Sequence, residues 1–247
     1  MRILAIDTSS AASACGVFRW KEGQESPITG GKIEAVNIID HDRSGAEEMI
    51  SAIDNTLKKI GLDISDIGAY AVITGPGSFT GIRIGLTMAK TMAQFSGGKI
   101  AGITSLEALA WDKDPEDSLK VPVIDARSNR IFAACYEGKW DLRPVKKEGL
   151  YYEEDFIRDL NGLVKDRGIK EVIFTGRGIE SHPSILEKAE FKYRIDRGED
   201  NISPIPSLLR MAALKIEAGQ EDSYLDLKAN YLRKSQAELE RDRRKEC

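Results

Sequence analysis

Histidine and cysteine are scarce in this chain of 247 residues: two histidines, His41 and His182, and three cysteines, Cys15, Cys135 and Cys247. Zinc and iron centres draw on these types at fixed spacings. Neither histidine has a second one four residues on, since Gly45 follows His41 at that distance, and no C-x-x-C pair occurs. That inventory argues against a metal site and against a metal-dependent protease. Three scattered cysteines give no disulfide framework, which fits a reducing, cytoplasmic setting. Cys15 and Cys135 sit in apolar runs and read as small buried hydrophobes. No apolar stretch approaches the ~18 residues a membrane span needs, and the N-terminal apolar run is too short for a signal peptide. Excess positive charge is also missing. The formal net charge is −4, so any contact with nucleic acid must come from a local patch or a partner.

What is present is a core-forming composition, 41% hydrophobic and 31% charged, arranged in an order that occurs twice. Residues 2–6, Ala14–Phe18 and Lys32–Ile38 read as strands. Arg43–Ile60 has helical spacing, Ala69–Thr74 is strand-like, Ile82–Ser96 helical and Ile100–Ile103 a short strand. Ser105 is a candidate N-cap for the next helix. The polar, proline-interrupted run Asp112–Ser118 marks a boundary. Beyond it, Lys120–Ile124 and Ile131–Tyr136 read as strands, Glu153–Lys165 as helix, Val172–Thr175 as strand, and Pro183–Lys188 and Ser207–Ala218 as helices. Ile3-Leu4-Ala5-Ile6-Asp7 aligns with Val121-Pro122-Val123-Ile124-Asp125, which sets Ala14–Phe18 opposite Phe132–Tyr136. Val72-Ile73-Thr74-Gly75-Pro76-Gly77 aligns with Ile173-Phe174-Thr175-Gly176-Arg177-Gly178. Two matches in one order indicate an internal duplication. A strand run followed by strand–helix alternation, done twice, predicts an α/β protein of the duplicated actin-like/hexokinase (ASKHA) type. The lobes are expected at 1–112 and 113–222, with a C-terminal segment and charged helix at 223–247.

The most distinctive stretch is the glycine loop Thr74–Gly85. It joins a strand to a helix N-terminus, where free N–H groups and the helix dipole favour an anion. No Lys-Ser/Thr follows a correctly spaced glycine, so it is not a Walker A loop, and no G-x-S-x-G surrounds Ser78. Spacing leaves two readings open: an anion-binding loop, or a tight connection capped by Ser78 and Thr80. Asp7-Thr8-Ser9-Ser10 and Asp125-Ala126-Arg127-Ser128 occupy matching turns. In a phosphotransferase of this fold an acid there would orient Mg²⁺ or a nucleophile, and a small-molecule kinase is the alternative function this raises. The change from Thr-Ser to Ala-Arg in the second turn weakens it. The helix after the loop carries two apolar stripes, Met88/Met92/Phe95 and Leu86/Ala89/Ala93, one of which needs a partner beyond the sheet.

The runs Gly75-Pro76-Gly77-Ser78-Phe79-Thr80-Gly81-Ile82-Arg83-Ile84-Gly85, Ile6-Asp7-Thr8-Ser9 and Tyr231-Leu232-Arg233-Lys234-Ser235-Gln236-Ala237-Glu238 closely resemble the TsaB (YeaZ) family, over nearly the whole chain. The resemblance implies a non-catalytic subunit for making N6-threonylcarbamoyladenosine at position 37 of ANN-decoding tRNAs. It would pair with and stabilise the paralogue TsaD, which transfers the threonylcarbamoyl group, with the ATPase TsaE joining them and tRNA reached through the complex. ATP and Mg would serve the complex, with no cofactor bound by this chain alone; a homodimer is possible when it is free. The single His41, without a histidine at 45, agrees with that role. By the same resemblance Asp7, Thr8, Ser9, Gly75, Gly77, Ser78, Thr80, Gly81 and Arg83 form a nucleotide- or partner-facing loop. Met49, Ile53, Met88 and Met92 would lie on partner-facing helices. One departure stands out: the family's usual D-A-R-R/K-x-E-V-Y reads Asp125-Ala126-Arg127-Ser128-Asn129-Arg130-Ile131-Phe132, with arginine in place of the acid.

Overall fold

The computed structural model describes residues 1–10, 12–21, 26–40, 45–198 and 203–233. His41, Arg43, Cys247 and the charged run after Arg233 lie outside them. The first half contains β1 (Arg2–Asp7), β2 (Ala12–Arg19), α1 (Pro27–Gly30), β3 (Lys32–Asp40), α2 (Ala46–Lys59), β4 (Ala69–Ile73), α3 (Phe79–Ser96), β5 (Lys99–Ile103) and α4 (Ser105–Ala110). The second contains β6 (Leu119–Asp125), β7 (Arg130–Glu137), β8 (Arg143–Tyr152), α5 (Glu153–Arg167), β9 (Val172–Thr175), α6 (Gly178–Ser181), α7 (Pro183–Glu187), β10 (Tyr193–Ile195) and α8 (Ile205–Glu217).

The two five-stranded sheets are ordered β3-β2-β1-β4-β5 and β8-β7-β6-β9-β10. Renumbered within each half, both orders are 3-2-1-4-5, with an antiparallel hairpin on one side and parallel strands on the other. This is the duplicated actin-like arrangement. The repeat differs in one detail from the string alignment. Asp7 pairs with Ala14 across the first hairpin, whereas Asp125 pairs with Ile131. The second connection is therefore one residue shorter, and Arg127, Ser128 and Asn129 close it with successive φ values of 63°, 56° and 55°.

Strands β8 and β10 were not legible in the sequence, because they are edge strands. The first carries Lys146, Lys147 and Glu148 among its apolar positions, and the second is only three residues long. The N-cap of α4 is Thr104, which accepts from the Glu107 N–H, rather than Ser105. Ser105 is the first helical residue and donates to the Pro76 carbonyl at 2.7 Å.

The last helix corrects the lobe division. Residues 113–222 assign α8 to the second lobe, yet Ile205, Leu208, Leu209, Ala212, Ala213 and Ile216 pack with Ile3, Ala5, Ala14 and Ala101 in the core of the first. Small residues make this sheet face shallow enough to take a helix. A Cβ added at Gly16 would lie 2.6 Å from Ile205 Cγ2. Burying each large apolar side chain contributes on the order of 1.5–3 kcal/mol before entropy is counted, so α8 is integral to the first lobe. The opposite face of that sheet packs against α2 and α3. In the second lobe, α5, α6 and α7 cover one face. Helix α4 lies between the lobes: Ala108 turns to the first core, while Leu106 and Ala110 meet Ala134 and Tyr136 of the second.

Cys15 and Cys135 are buried, as expected. Burial pushes the Cys135 thiol up to about 12, leaving it an inert core residue.

Candidate functional site

The first-lobe turn and the glycine loop are brought together, and they close on each other. Ser78 caps α3, its Oγ accepting from the Gly81 N–H at 3.2 Å. The Ser78 N–H donates to the Ser9 carbonyl at 2.7 Å, and Thr8 Oγ1 donates to the Gly81 carbonyl at 2.6 Å. The glycines are required because the backbones nearly touch. A Cβ at Gly77 would lie 2.3 Å from Ser9 O, one at Gly81 1.8 Å from Thr8 O, and one at Gly85 2.6 Å from Thr8 Oγ1. The turn thus presses two carbonyl oxygens against the loop. Partial negative charge stands where an anion would need donors, and of the two open readings the geometry favours the tight connection. Ser78, Thr80 and Arg83 remain on the exposed rim; Thr80 lies within the helix and does not cap it.

Asp7 is sealed inside this assembly, with 1% of its surface exposed. Its Oδ1 accepts from the Ser9 N–H at 2.9 Å and Ser9 Oγ at 2.7 Å, and its Oδ2 from Ser203 Oγ at 3.3 Å. Burial raises its pKa, and the serine hydrogen bonds partly offset the rise. Both carboxylate oxygens are thus bonded within the fold, Oδ2 through the longer contact alone.

The C-terminal strap, residues 219–233, crosses the lobe junction without a helix, turning once at Ser223–Leu227. The Asp222 carboxylate accepts from the Gly102 N–H and Lys215 Nζ at the edge of β5. The Asn230 N–H donates to Thr74 O at 2.8 Å, and a Cβ at Gly75 would lie 2.8 Å from Asn230 O. Tyr231 stacks on Phe79 with ring centroids 4.1 Å apart and planes 4° from parallel. Leu232 packs onto the Leu106–Tyr136 cluster, and Arg233 Nη1 donates to Ala126 O at 3.4 Å. The strap therefore links the glycine loop of the first lobe, at Thr74 and Phe79, to the second-lobe turn at Ala126.

Beneath the strap lies a polar cluster that no sequence spacing announced. The two oxygens of Glu148 accept from Tyr136 OH at 2.9 Å and from Asn230 Nδ2 at 2.7 Å, and Thr104 Oγ1 also bonds Glu148. Thr104 Oγ1 lies 3.0 Å from Glu107 as well. Burial, with a smaller contribution from Glu107, raises the pKa of Glu148 although its hydrogen-bond donors pull it down. Its members come from four separate segments, which explains why no local pattern announces them.

The second-lobe turn is open by contrast. Asp125 is half-exposed; its Oδ1 accepts from the Arg127 N–H at 2.7 Å and lies 3.1 Å from His182 Nε2. His182 Nδ1 sits 2.7 Å from Glu153 Oε2. His182 joins α6 to α7, and it ties the turn to α5 from a buried position.

The partner-facing helices need correction. Met49 and Ile53 are buried in the lobe's own core, because the amphipathic face of α2 (Met49, Ala52, Ile53, Thr56, Leu57) is the one that meets the sheet. Neither can present its side chain to another protein without leaving that core. Ile50 is the exposed apolar residue of this helix. On α3 the Leu86/Ala89/Ala93 stripe faces the sheet, Met88 and Met92 are half-buried at its margin, and Phe95 is 86% exposed. Among the described residues no group of three or more His, Cys, Asp or Glu could hold a metal, and no helix is long and apolar enough to cross a membrane.

The family described as TsaD, tRNA N6-adenosine threonylcarbamoyltransferase, matches residues 40–196. The tRNA threonylcarbamoyladenosine biosynthesis protein TsaB of Bacillus subtilis is 28% identical over 244 residues, covering 96% of each chain. The protein of that name from Escherichia coli is 27% identical over 247 residues with the same coverage. The solved structure of YeaZ from Pseudomonas aeruginosa superposes with a TM-score of 0.70 at 20% identity, covering 94% of this chain and 99% of the other.

Proposed function

The chain belongs to the family of TsaD, tRNA N6-adenosine threonylcarbamoyltransferase, and from that membership we propose that it is the family's TsaB-type accessory subunit. In this reading it pairs with a TsaD protein in the cytoplasm and has no catalytic site of its own. TsaD, with ATP, Mg and the ATPase TsaE, carries threonylcarbamoyl to A37 of ANN-decoding tRNA. Full-length likeness to two TsaB proteins supports the assignment.

The observation that carries the accessory role is the closed first-lobe turn, with Asp7 sealed behind it. In a nucleotide-using member of this fold, the two turns would face a bound phosphate. Here Thr8 and Ser9 carbonyls close the glycine loop, and the strap is anchored on that loop through Asn230 and Tyr231. The surface left for pairing is the margin of α3, Met88, Met92 and Phe95, with Ile50 of α2. The same apolar margin would serve a homodimer when TsaD is absent.

Mixing the purified chain with a TsaD protein tests the proposal. A co-eluting heterodimer and tRNA modification in the presence of TsaE and ATP are expected, with no ATP turnover by the chain alone. Failure to pair and to restore modification, or substantial turnover alone, overturns it.

A further inference from the structure

The second-lobe turn carries a feature that the proposed accessory role does not use. Arg127 and Arg130 lie in the turn, Arg177 in the abutting loop, and Arg233 on the strap. The loops are in contact, since a Cβ at Gly178 would lie 2.6 Å from Asp125 N, and Arg233 reaches Ala126 O. Arg127 and Arg177 are exposed, and Arg130 and Arg233 half-buried. Several other arginines are matched with acids, Arg2 and Arg19 with Glu34, Arg158 with Asp155 and Arg167 with Glu137, although among the described residues Arg83 and Arg210 are not. Among the described residues Arg127, Arg130 and Arg177 form no ion pair.

Most local acids have partners among the described residues, Glu180 on α6 being an exposed exception. Asp125 and Glu153 both face His182, and Glu154 pairs with Lys188. The backbone adds donors. Residues 127–129 are all left-handed, and the N–H groups of Ser128 and Asn129 donate no hydrogen bond among the described residues. Successive free amides in such a turn form an anion-attracting concavity. Arg130 also stands where the family resemblance leads one to expect an acid, so this chain has gained positive charge at that position.

We infer that this arginine-rimmed turn contacts the phosphodiester backbone of RNA directly. The inference rests on the reading of the chain as a subunit acting on tRNA. An extended polyanion fits better than a free nucleotide. The four arginines are spread over three segments of surface rather than gathered around one pocket. Guanidinium groups suit phosphate because their forked donors meet its oxygens in pairs.

The test measures binding of an unmodified tRNA transcript to the complex of the full chain with its TsaD-type partner, by anisotropy across a salt series. Combined Arg127→Ala, Arg130→Ala and Arg177→Ala substitution is expected to weaken binding at least about tenfold at low salt. It should also lower the slope of log K against log salt by about 2–3, roughly one per lost phosphate contact. The corresponding triple lysine variant keeps the charge and should recover most of the slope. Wild-type affinity and slope in the alanine variant would overturn the inference. The two readings fail separately. If the unaltered chain does not restore modification, the accessory role itself falls. If it does, and the alanine variant binds tRNA normally, only the direct contact falls.

Discussion

Gly81 and Gly162 are chemically identical and structurally opposite. A Cβ at Gly81 would overlap the Thr8 carbonyl oxygen, a backbone atom fixed by the β1–β2 hairpin, while one at Gly162 meets nothing within 4 Å. Gly81→Ala is therefore expected to destabilise the fold by at least about 2 kcal/mol, as forced overpacking does. Gly162→Ala, exposed in the middle of α5, should stabilise it by roughly 0.5–1 kcal/mol by removing backbone freedom from the unfolded chain. Urea unfolding of the two variants checks both signs, and equal effects would refute the account. The sequence marked the loop glycines as special but not the reason. Their partners are Thr8 and Ser9, some seventy residues earlier, and local spacing carries no record of that approach. His182 was harder still, since its meaning lies in Asp125 and Glu153, both remote in the chain.

At the scale of elements, periodicity identified the long helices and the central strands, where burial on one face imposes a regular pattern. It did not carry the placement of Met49 and Ile53, which came from the family resemblance and conflicts with their burial in the lobe's core. It also missed β8, whose alternation is diluted by charge. The strap was beyond its reach because a non-helical segment that borrows its hydrogen bonds from other elements has no period. Its hold can be measured. An aligned aromatic pair contributes about 0.5–1.5 kcal/mol beyond area burial. Tyr231→Ala should accordingly speed exchange of the Asn230 amide, bonded to Thr74 O, by about two- to tenfold. Unchanged exchange would show that the Phe79 stack does not secure the strap.

For the whole molecule, the order of elements exposed the duplication, and both sheets follow it. The junction was not legible, because the polar cluster at Glu148 assembles only when both lobes and the strap are in place. That cluster couples stability to pH. The pKa of Glu148 is raised above its ordinary 4.5, so its folded form binds the proton more tightly than the unfolded chain. This contribution is complete below pH 4.5 and is lost as pH rises through the folded value. Glu148→Gln removes the charge, and Asn230 can turn its amide to present oxygen. The variant's melting temperature, relative to wild type, should climb between pH 4 and 8; a constant difference would contradict the linkage. The placement of α8 has a consequence for synthesis. The first lobe's sheet stays bare on one face until residues 205–217 have left the ribosome, about 5–20 seconds after residue 112 at ordinary elongation rates. The half made first is thus finished last, and through that interval its apolar sheet needs a chaperone or a transient cover.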